Sequence, residues 1–168
     1  MSNAIFLLLG ANLGARQQNL QAAQQLISED IGRIQRCSAI YETAAWGIEE
    51  QPAFFNQVVE VESNKPPLDL LNRLLAIEER IGRVRHKKWG ERIIDIDILY
   101  YGQQVFRHQD LMIPHPEIAN RRFTLAPLAE LAPDFVHPAL GLTNLQLLGQ
   151  CPDPLTVKLI KPAPVNIK

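Results

Sequence analysis

The sequence predicts an α+β fold with a ferredoxin-like βαββαβ core, additional strands and helices around it, and three layers in all. Its periodic segments follow the order strand, helix, strand, strand, helix, strand, and glycines or prolines separate several of them. This order forms an antiparallel sheet with helices packed against it. The predicted segments are strand 4–9, helix 18–30, strands 36–43 and 54–63, helix 66–81 and strand 93–101.

Each segment is assigned from its own residue pattern. The first strand is a compact apolar run that stops at Gly10, and the first helix carries apolar residues at helical spacing. The second helix has prolines in its first turn and Gly82 as its natural stop. The strand at 93–101 alternates strictly between two residue classes, which is typical of a strand with one buried face. Short segments near 105, 123–131 and 155–160 predict two further strands and a helix.

Composition restricts the class of protein. The chain has 168 residues, 46% of them hydrophobic and 21% charged, which predicts one globular domain with a proline-rich tail from about residue 151. The net charge of -1 provides no global field for nucleic acid or an anionic membrane. Cys37 and Cys151 have no metal-ligand spacing, and no run reaches the ~20 apolar residues of a membrane helix. A cytoplasmic protein is expected.

The sharpest chemical feature is a pair of aspartates on the last core strand. Asp95 and Asp97 point to one face of that strand, and the neighbouring isoleucines point to the other. Two carboxylates so close repel each other unless a cation lies between them, and hard oxygen ligands suit Mg²⁺. Taken alone, the pair indicates an ordinary solvated face of an amphipathic strand more readily than a metal site.

A basic segment leads directly into these aspartates. Residues 80–92 hold six of the 17 lysines and arginines of the chain: Arg80, Arg83, Arg85, Lys87, Lys88 and Arg92. Basic side chains beside a carboxylate pair are typical of a polyphosphate site, where arginine forks neutralise charge on the transferring group. An exposed basic loop and a nucleic-acid patch are the alternatives. Confinement of the charge to one loop of a near-neutral chain favours the polyphosphate site.

Two further segments are candidates for ligand contacts. His115 lies between two prolines, which hold it in a rigid extended backbone, so it is a phosphate contact, a general acid or a structural histidine. Residues 41–56 combine aromatic side chains with Thr43 and Asn56 around a glycine-containing loop. A flat heteroaromatic ligand needs such stacking faces and a side-chain amide, although ordinary core aromatics give the same composition.

Together these residues resemble the 6-hydroxymethyl-7,8-dihydropterin pyrophosphokinase family. The most specific stretch is residues 88–99, which is similar to the family signature of a basic residue, a glycine, an arginine, two spacers and Asp-x-Asp. Residues 10–14 resemble the family's early Gly-Ser-Asn-Leu-Gly, and the segment from Pro114 to Phe123 matches in order and spacing. The resemblance covers about residues 4–135.

The resemblance implies transfer of pyrophosphate from ATP to the hydroxymethyl group of the pterin in folate biosynthesis, with AMP released and two Mg²⁺ bound. Asp95 and Asp97 would bind the metals. The residues implied in transfer are Arg83, Arg92 and His115. Those implied in pterin binding are Thr43, Trp46, Phe54, Asn56 and Phe123. Those implied in ATP binding are Glu78, Arg85, Lys88, Trp89, Ile98, Leu111 and Arg121. No nucleic-acid or membrane partner is expected, and a monomer is the simplest assembly.

The sequence departs from some relatives at three places. Its basic loop is one residue shorter, Asp110 stands where some relatives carry a phosphate-binding arginine, and Pro116 replaces a tyrosine. Three other functions remain open. They are a different metal-dependent nucleotidyl or phosphoryl transferase, a nucleotide-sensing module without catalysis, and a nucleic-acid-binding loop.

Overall fold

The computed structural model describes residues 3–43, 53–82 and 93–163. Eight strands and four α-helices occur in these ranges, together with a 3-10 helix at Ile118–Asn120. The strands are β1 (Asn3–Ala11), β2 (Arg33–Cys37), β3 (Ile40–Thr43), β4 (Phe54–Ser63), β5 (Asp95–Tyr101), β6 (Phe106–His108), β7 (Leu111–Ile113) and β8 (Val157–Lys161). The helices are α1 (Arg16–Asp30), α2 (Pro67–Ile81), α3 (Arg122–Leu131) and α4 (Asn144–Gln150).

One antiparallel sheet organises these elements. Its strands follow the order β5-β1-β4-β3-β8, and β2 also pairs with β4, while β6 and β7 form a separate hairpin. The predicted α+β class is confirmed by this mixture of helices and antiparallel sheet. None of the described helices has both the length and the apolarity needed to cross a bilayer.

The prediction of a single strand over 36–43 is wrong. The chain forms β2 and β3 there, separated at Ser38 and Ala39. Ser38 stays bound to β4 across the break, because its hydroxyl accepts the Val58 N–H at 2.9 Å and its carbonyl accepts from the Gln57 side chain at 2.9 Å. A buried serine thus keeps the chain bonded to β4 at the break between β2 and β3.

Helices lie against both faces of the sheet, and β1 is buried between them. Ile5, Leu7 and Leu9 pack into a core with residues of α1 and α2. Phe6 and Leu8 point the other way and pack into a second core with residues of α3 and α4. The period-two alternation of a strand therefore divides one apolar run between two cores.

Side-chain hydrogen bonds attach α3 and α4 to the sheet. The carboxylate of Glu130 in α3 accepts the Ala39 N–H and, at 2.6 Å, the Tyr41 hydroxyl of β3. The buried Tyr100 hydroxyl of β5 donates to Asn144 at the start of α4 at 2.7 Å. These bonds set the position of the helices over the β3 and β5 sides of the same face.

Gly32, between α1 and β2, lies close to the backbone of β4, and its substitution tests this close packing. A Cβ on Gly32 would lie 2.1 Å from the Glu62 carbonyl oxygen of β4. Because backbone must then move, we expect Gly32→Ala to lower the free energy of unfolding by about 2 kcal/mol or more. The measurement is urea denaturation. Gly149→Ala is the matched control, since that Cβ meets nothing within 4 Å in α4 and should raise stability by roughly 0.5–1 kcal/mol. Equal stability of the two variants would contradict the expected clash.

Candidate functional site

The candidate site begins with a row of residues that crosses four strands on one face of the sheet. Gly10 of β1 is paired with Asn56 of β4 on one side and with Asp95 of β5 on the other, and Asn56 is also paired with Tyr41 of β3. Directly paired residues of antiparallel strands point to the same face. Tyr41 bonds to α3, so this is the face that α3 covers further along the strands.

Gly10 leaves a space in the middle of this row. A Cβ at that position would lie 3.2 Å from Asn56 Oδ1 and 3.8 Å from the Phe54 ring. A glycine inside a strand often marks a place where another molecule approaches the backbone closely. The sequence predicted a strand that stops at Gly10 and assigned this glycine no role, whereas the observed β1 continues through it. The gap separates an amide from a carboxylate by about two strand spacings, ~10 Å.

Two buried polar atoms beside this gap lack hydrogen-bond partners in the part of the chain that the structure describes. They are Thr43 Oγ1 and Asn56 Nδ2, on side chains only 2% and 3% exposed. Thr43 is paired with Phe54, a half-buried aromatic residue on the same face. A buried unsatisfied donor costs about 1–3 kcal/mol, so such groups in a folded protein indicate a missing ligand or water. The structure thus brings Thr43, Phe54 and Asn56 together on one face, and their expected contact with a pterin stays a prediction.

The two aspartates of β5 lie on the same face, beyond the gap. Both are half-buried, and the side chains of Ile94, Ile96 and Ile98 are buried in the core with α1 and α2. Among the described residues, no cluster of three or more acidic, histidine or cysteine side chains could hold a metal. A pair of hard oxygen donors fits Mg²⁺, which commonly uses one or two carboxylates and completes its shell with water and substrate phosphates.

Glu78 of α2 contacts the backbone of β5, the strand that carries the two aspartates. This helix α2 residue is 1% exposed, and its Oε2 accepts the backbone N–H of Ile96 at 2.7 Å. Within the described sheet β5 is an edge strand, so the carboxylate occupies a backbone position that a further strand would otherwise satisfy. Glu78 therefore fixes the backbone between the two aspartates. Its expected contact with ATP stays a prediction.

His115 is bonded to β5 at a bulge that follows the two aspartates. Pairing with β1 passes from Ile98 directly to Tyr100, and the carbonyl of the intervening Leu99 accepts the His115 N–H at 3.0 Å. The Nδ1 atom of the ring accepts the backbone N–H of Glu117 at 3.1 Å. In a neutral imidazole the Nε2 atom then carries the proton and can donate a hydrogen bond.

The electrostatic surroundings of His115 keep it neutral. Burial lowers the pKa of the His115 imidazole, and the positive charge of Arg121 lowers it further. Glu117 and Asp95 oppose these effects and raise the pKa. His115 is therefore close enough to Arg121 and Asp95 for both charges to act on it, which brings three predicted site residues into one region.

Arg121 and Phe123 lie at the start of α3, next to this region. The Arg121 guanidinium carbon is 5.7 Å from the centroid of the Phe123 ring, within the range of a cation–π contact. Phe123 also packs against the second core, which holds its ring in place. The start of α3 thus presents a cation and an aromatic face together.

Comparisons with known proteins identify the family of this chain. Residues 6–133 match the family model described as 7,8-dihydro-6-hydroxymethylpterin-pyrophosphokinase (HPPK). The chain belongs to this family. It is similar to a 2-amino-4-hydroxy-6-hydroxymethyldihydropteridine pyrophosphokinase of Synechocystis, with 42% identity over 84% of this chain and 73% of that protein. A relative of the same name from Haemophilus influenzae is 37% identical over 92% of this chain and 96% of that protein.

Some relatives of this pyrophosphokinase chain are much longer. It is 36% identical to the folic acid synthesis protein FOL1 of Dictyostelium discoideum over 97% of its own length, but spans only 25% of that protein. The solved structure of wild-type Plasmodium falciparum HPPK-DHPS matches with a TM-score of 0.73 at 18% identity, over 89% of this chain and 45% of that one. That likeness shows the fold alone.

The remaining predicted site residues of the pyrophosphokinase chain fall into two groups. Ile98 is buried in the core on the α2 side, and Leu111 packs against the same core from β7. Their expected contact with adenine stays a prediction. The other group lies outside the described residues: Trp46, Arg83, Arg85, Lys88, Trp89 and Arg92.

The lowered pKa of His115 gives a test by titration. We expect its NMR titration midpoint below the ordinary 6.5, and Arg121→Met should raise the midpoint by removing a nearby positive charge. Because the unfolded chain binds this proton more readily, the free energy of unfolding should decrease as the pH falls from 6.5 through the folded pKa. Arg107→Met, on an exposed residue of β6, is the control and should leave the midpoint unchanged. A wild-type midpoint above 6.5 would contradict the assignment.

Proposed function

We propose that the site of this chain transfers the pyrophosphoryl group of ATP to the hydroxymethyl group of 6-hydroxymethyl-7,8-dihydropterin and releases AMP, in folate biosynthesis. The observation that carries the proposal is the row across β4, β1 and β5. It sets Asn56, with its unpaired amide nitrogen, and Asp95 on one face with only Gly10 between them. A site for a polar heterocycle thus adjoins a site for metal and polyphosphate.

The heterocycle lies on the β3–β4 side in this proposal. Asn56 Nδ2 and Thr43 Oγ1 would bond the polar edge of the pterin, which supplies the partners they lack in the described structure. Phe54 and Phe123 would hold the ring between two aromatic faces. Trp46 would add a further aromatic contact. Exclusion of water by these side chains would strengthen each hydrogen bond to the ring edge.

The polyphosphate lies on the β5 side. Asp95 and Asp97 would hold two Mg²⁺ ions, and metal bound there would neutralise charge on the phosphate oxygens. Arg83 and Arg92 would bind the transferring group, with Arg85, Lys88 and Trp89 on the same loop. Glu78, Ile98 and Leu111 would complete the nucleotide site. Arg121 would add its charge to a phosphate from the start of α3.

His115 is a hydrogen-bond donor to phosphate in this mechanism rather than a base. Its Nδ1 is already occupied by the Glu117 N–H, and its lowered pKa leaves a neutral ring with a proton on Nε2. The pterin hydroxyl oxygen attacks the β-phosphorus, the bond from that phosphorus to the bridging oxygen of AMP breaks, and the hydroxyl proton passes to solvent. Alignment and charge neutralisation then supply most of the catalysis.

We also propose a ferredoxin-like classification for the core and a monomeric, cytoplasmic enzyme. The order β1, α1, β2 with β3, β4, α2, β5 supports the classification if β2 and β3 count as one interrupted strand. One chain carries all the residues of the proposed site, which supports a monomer. Cys37 and Cys151 are both free thiols, which supports a reducing compartment.

The proposed reaction is tested by ³¹P NMR of a mixture of the protein, ATP, Mg²⁺ and 6-hydroxymethyl-7,8-dihydropterin. AMP together with a pterin diphosphate is the expected result, because it reports both the acceptor and attack at the β-phosphorus. ADP with a monophosphorylated pterin would mean a simple kinase. Turnover that does not depend on the pterin would mean a different acceptor.

The metal assignment is tested by Asp97→Ala. We expect a loss of at least ~100-fold in transfer rate, because the proposed metal site loses one of its two carboxylates. Rates are measured over a range of Mg²⁺ concentrations. Asp134→Ala removes an exposed acidic side chain elsewhere and should leave the rate within about twofold. Near-wild-type transfer by Asp97→Ala at ordinary Mg²⁺ would remove the basis for the metal site.

A further inference from the structure

The C-terminal part of the chain touches the candidate site at two places, although it lies beyond the residues that match the family model. The match ends at residue 133. The described residues after it form α4, a crossing segment at 151–156, and β8. The crossing segment contacts the start of α3, and β8 pairs with β3, so two of the elements that carry proposed pterin residues meet this part of the chain.

Asp153 makes the contact with α3. Its side chain is 3% exposed. Its Oδ2 accepts the backbone N–H of Arg122 at 3.1 Å, and its Oδ1 accepts the N–H of Leu155 at 3.0 Å. The second bond is a local turn that holds the carboxylate in place, so the first oxygen points to the helix in a defined direction.

The Arg122 side chain also donates hydrogen bonds to the crossing segment. Its Nε donates to the carbonyl oxygen of Asp153 at 3.3 Å, and its Nη2 donates to the carbonyl oxygen of Cys151 at 3.2 Å. Backbone and side chain of Arg122 are therefore both bound to the crossing segment. We call these four residues, Arg122, Cys151, Asp153 and Leu155, the α3 clamp.

Helix α3 lacks a cap of its own. Its N-cap residue, Arg121, makes no side-chain capping bond, and the first turn contains no acidic residue. The first N–H groups of a helix need acceptors and attract negative charge. Asp153 supplies both from 31 positions further along the chain.

The clamp acts on the residue between two proposed ligand contacts. Arg121 and Phe123 are the immediate neighbours of Arg122, and the backbone of Arg121 is extended before the helix begins. The direction in which each side chain leaves the backbone therefore depends on the position of Arg122. On the other side of the site, Val157 of β8 is paired with Thr43 of β3. The crossing segment therefore connects the contact with α3 to the contact with β3.

We propose that Asp153 is a positioning residue for the pyrophosphokinase site: by binding the first turn of α3 it directs Arg121 to phosphate and Phe123 to the pterin ring. The inference rests on the proposed function, since it assigns those two side chains to ATP and pterin. It adds a residue outside the matched family region to the architecture of the site.

The test compares three variants in the full chain. Asp153→Ala removes the two carboxylate acceptors of the clamp, and Asp153→Asn retains one side-chain carbonyl oxygen. Thr143→Ala is the matched control, because Thr143 caps α4 through reciprocal bonds with Gln146 and α4 carries no proposed site residue. Unfolding temperatures are measured first, and binding is then measured where all variants are folded. The probes are 6-hydroxymethyl-7,8-dihydropterin and α,β-methylene-ATP with Mg²⁺, whose α–β linkage cannot release AMP.

We expect Asp153→Ala to weaken binding of the pterin in the presence of the ATP analogue by about tenfold, since two ligand-contacting side chains lose the support that preorganises them. Asp153→Asn should lose less, and Thr143→Ala should stay within about twofold of wild type. Hydrogen exchange at the Arg122 amide should be faster in Asp153→Ala alone. Binding by Asp153→Ala that equals the control would overturn the proposal, as would an unchanged Arg122 amide.

Failure of the proposed function gives a different result. In that case the wild-type chain releases no AMP from ATP and pterin, whatever the variants do. The clamp is judged by ligand affinity and amide exchange, neither of which needs turnover. If wild type turns over, a separate readout is available: a positioning defect should raise the KM values and lower kcat, whereas loss of folded protein lowers the apparent kcat with KM unchanged.

Discussion

The register of β1 between β4 and β5 decides which side chains enter the candidate site. It places Gly10 opposite both Asn56 and Asp95. A slip by one residue would turn Ile5, Leu7 and Leu9 away from the helices that bury them. Each such side chain contributes roughly 1.5–3 kcal/mol through burial, so the core opposes any slip strongly. The packing of β1 against α1 and α2 thereby holds the site on the opposite face in alignment.

The face of the sheet that carries the candidate site is apolar at one end and polar at the other. Near the beginning of β1, Phe6 packs against Tyr100 and Phe135, with ring centroids 6.0 and 5.2 Å away. Leu8 also packs into this core. Gly10 follows on the same face and has no side chain, so the apolar row of β1 stops there. Rigid packing at one end supports polar groups at the other. A site on strands anchored in this way holds its geometry more closely than one made from loops alone.

Alternation alone was enough to predict that Asp95 and Asp97 share a face. The structure confirms it, because the two aspartates pair with Gly10 and Leu8 of β1 in an unbroken register and the bulge comes only at Leu99. The break at Ser38 was not predictable, since it depends on partners in β4 that only folding brings near. Helix α4 was missed although Thr143 and Gln146 form a capping box, a signal that the sequence does contain. The residues that lie beside Asn56 depend on how β4 is paired with β1 and β3, and no local sequence pattern specifies these pairing registers.

The unpaired atoms of Thr43 and Asn56 connect stability to selectivity. A buried polar group without a partner destabilises the folded chain, so these two atoms are retained at a cost to stability. A ligand that presents matching donors and acceptors removes that cost on binding, while an analogue without them leaves both groups buried and unsatisfied. Discrimination of this kind is much larger than a hydrophobic pocket can achieve, because it penalises the wrong ligand as well as rewarding the right one. Hence the part of this face that holds these two buried polar atoms is the part best suited to recognise a polar heterocycle.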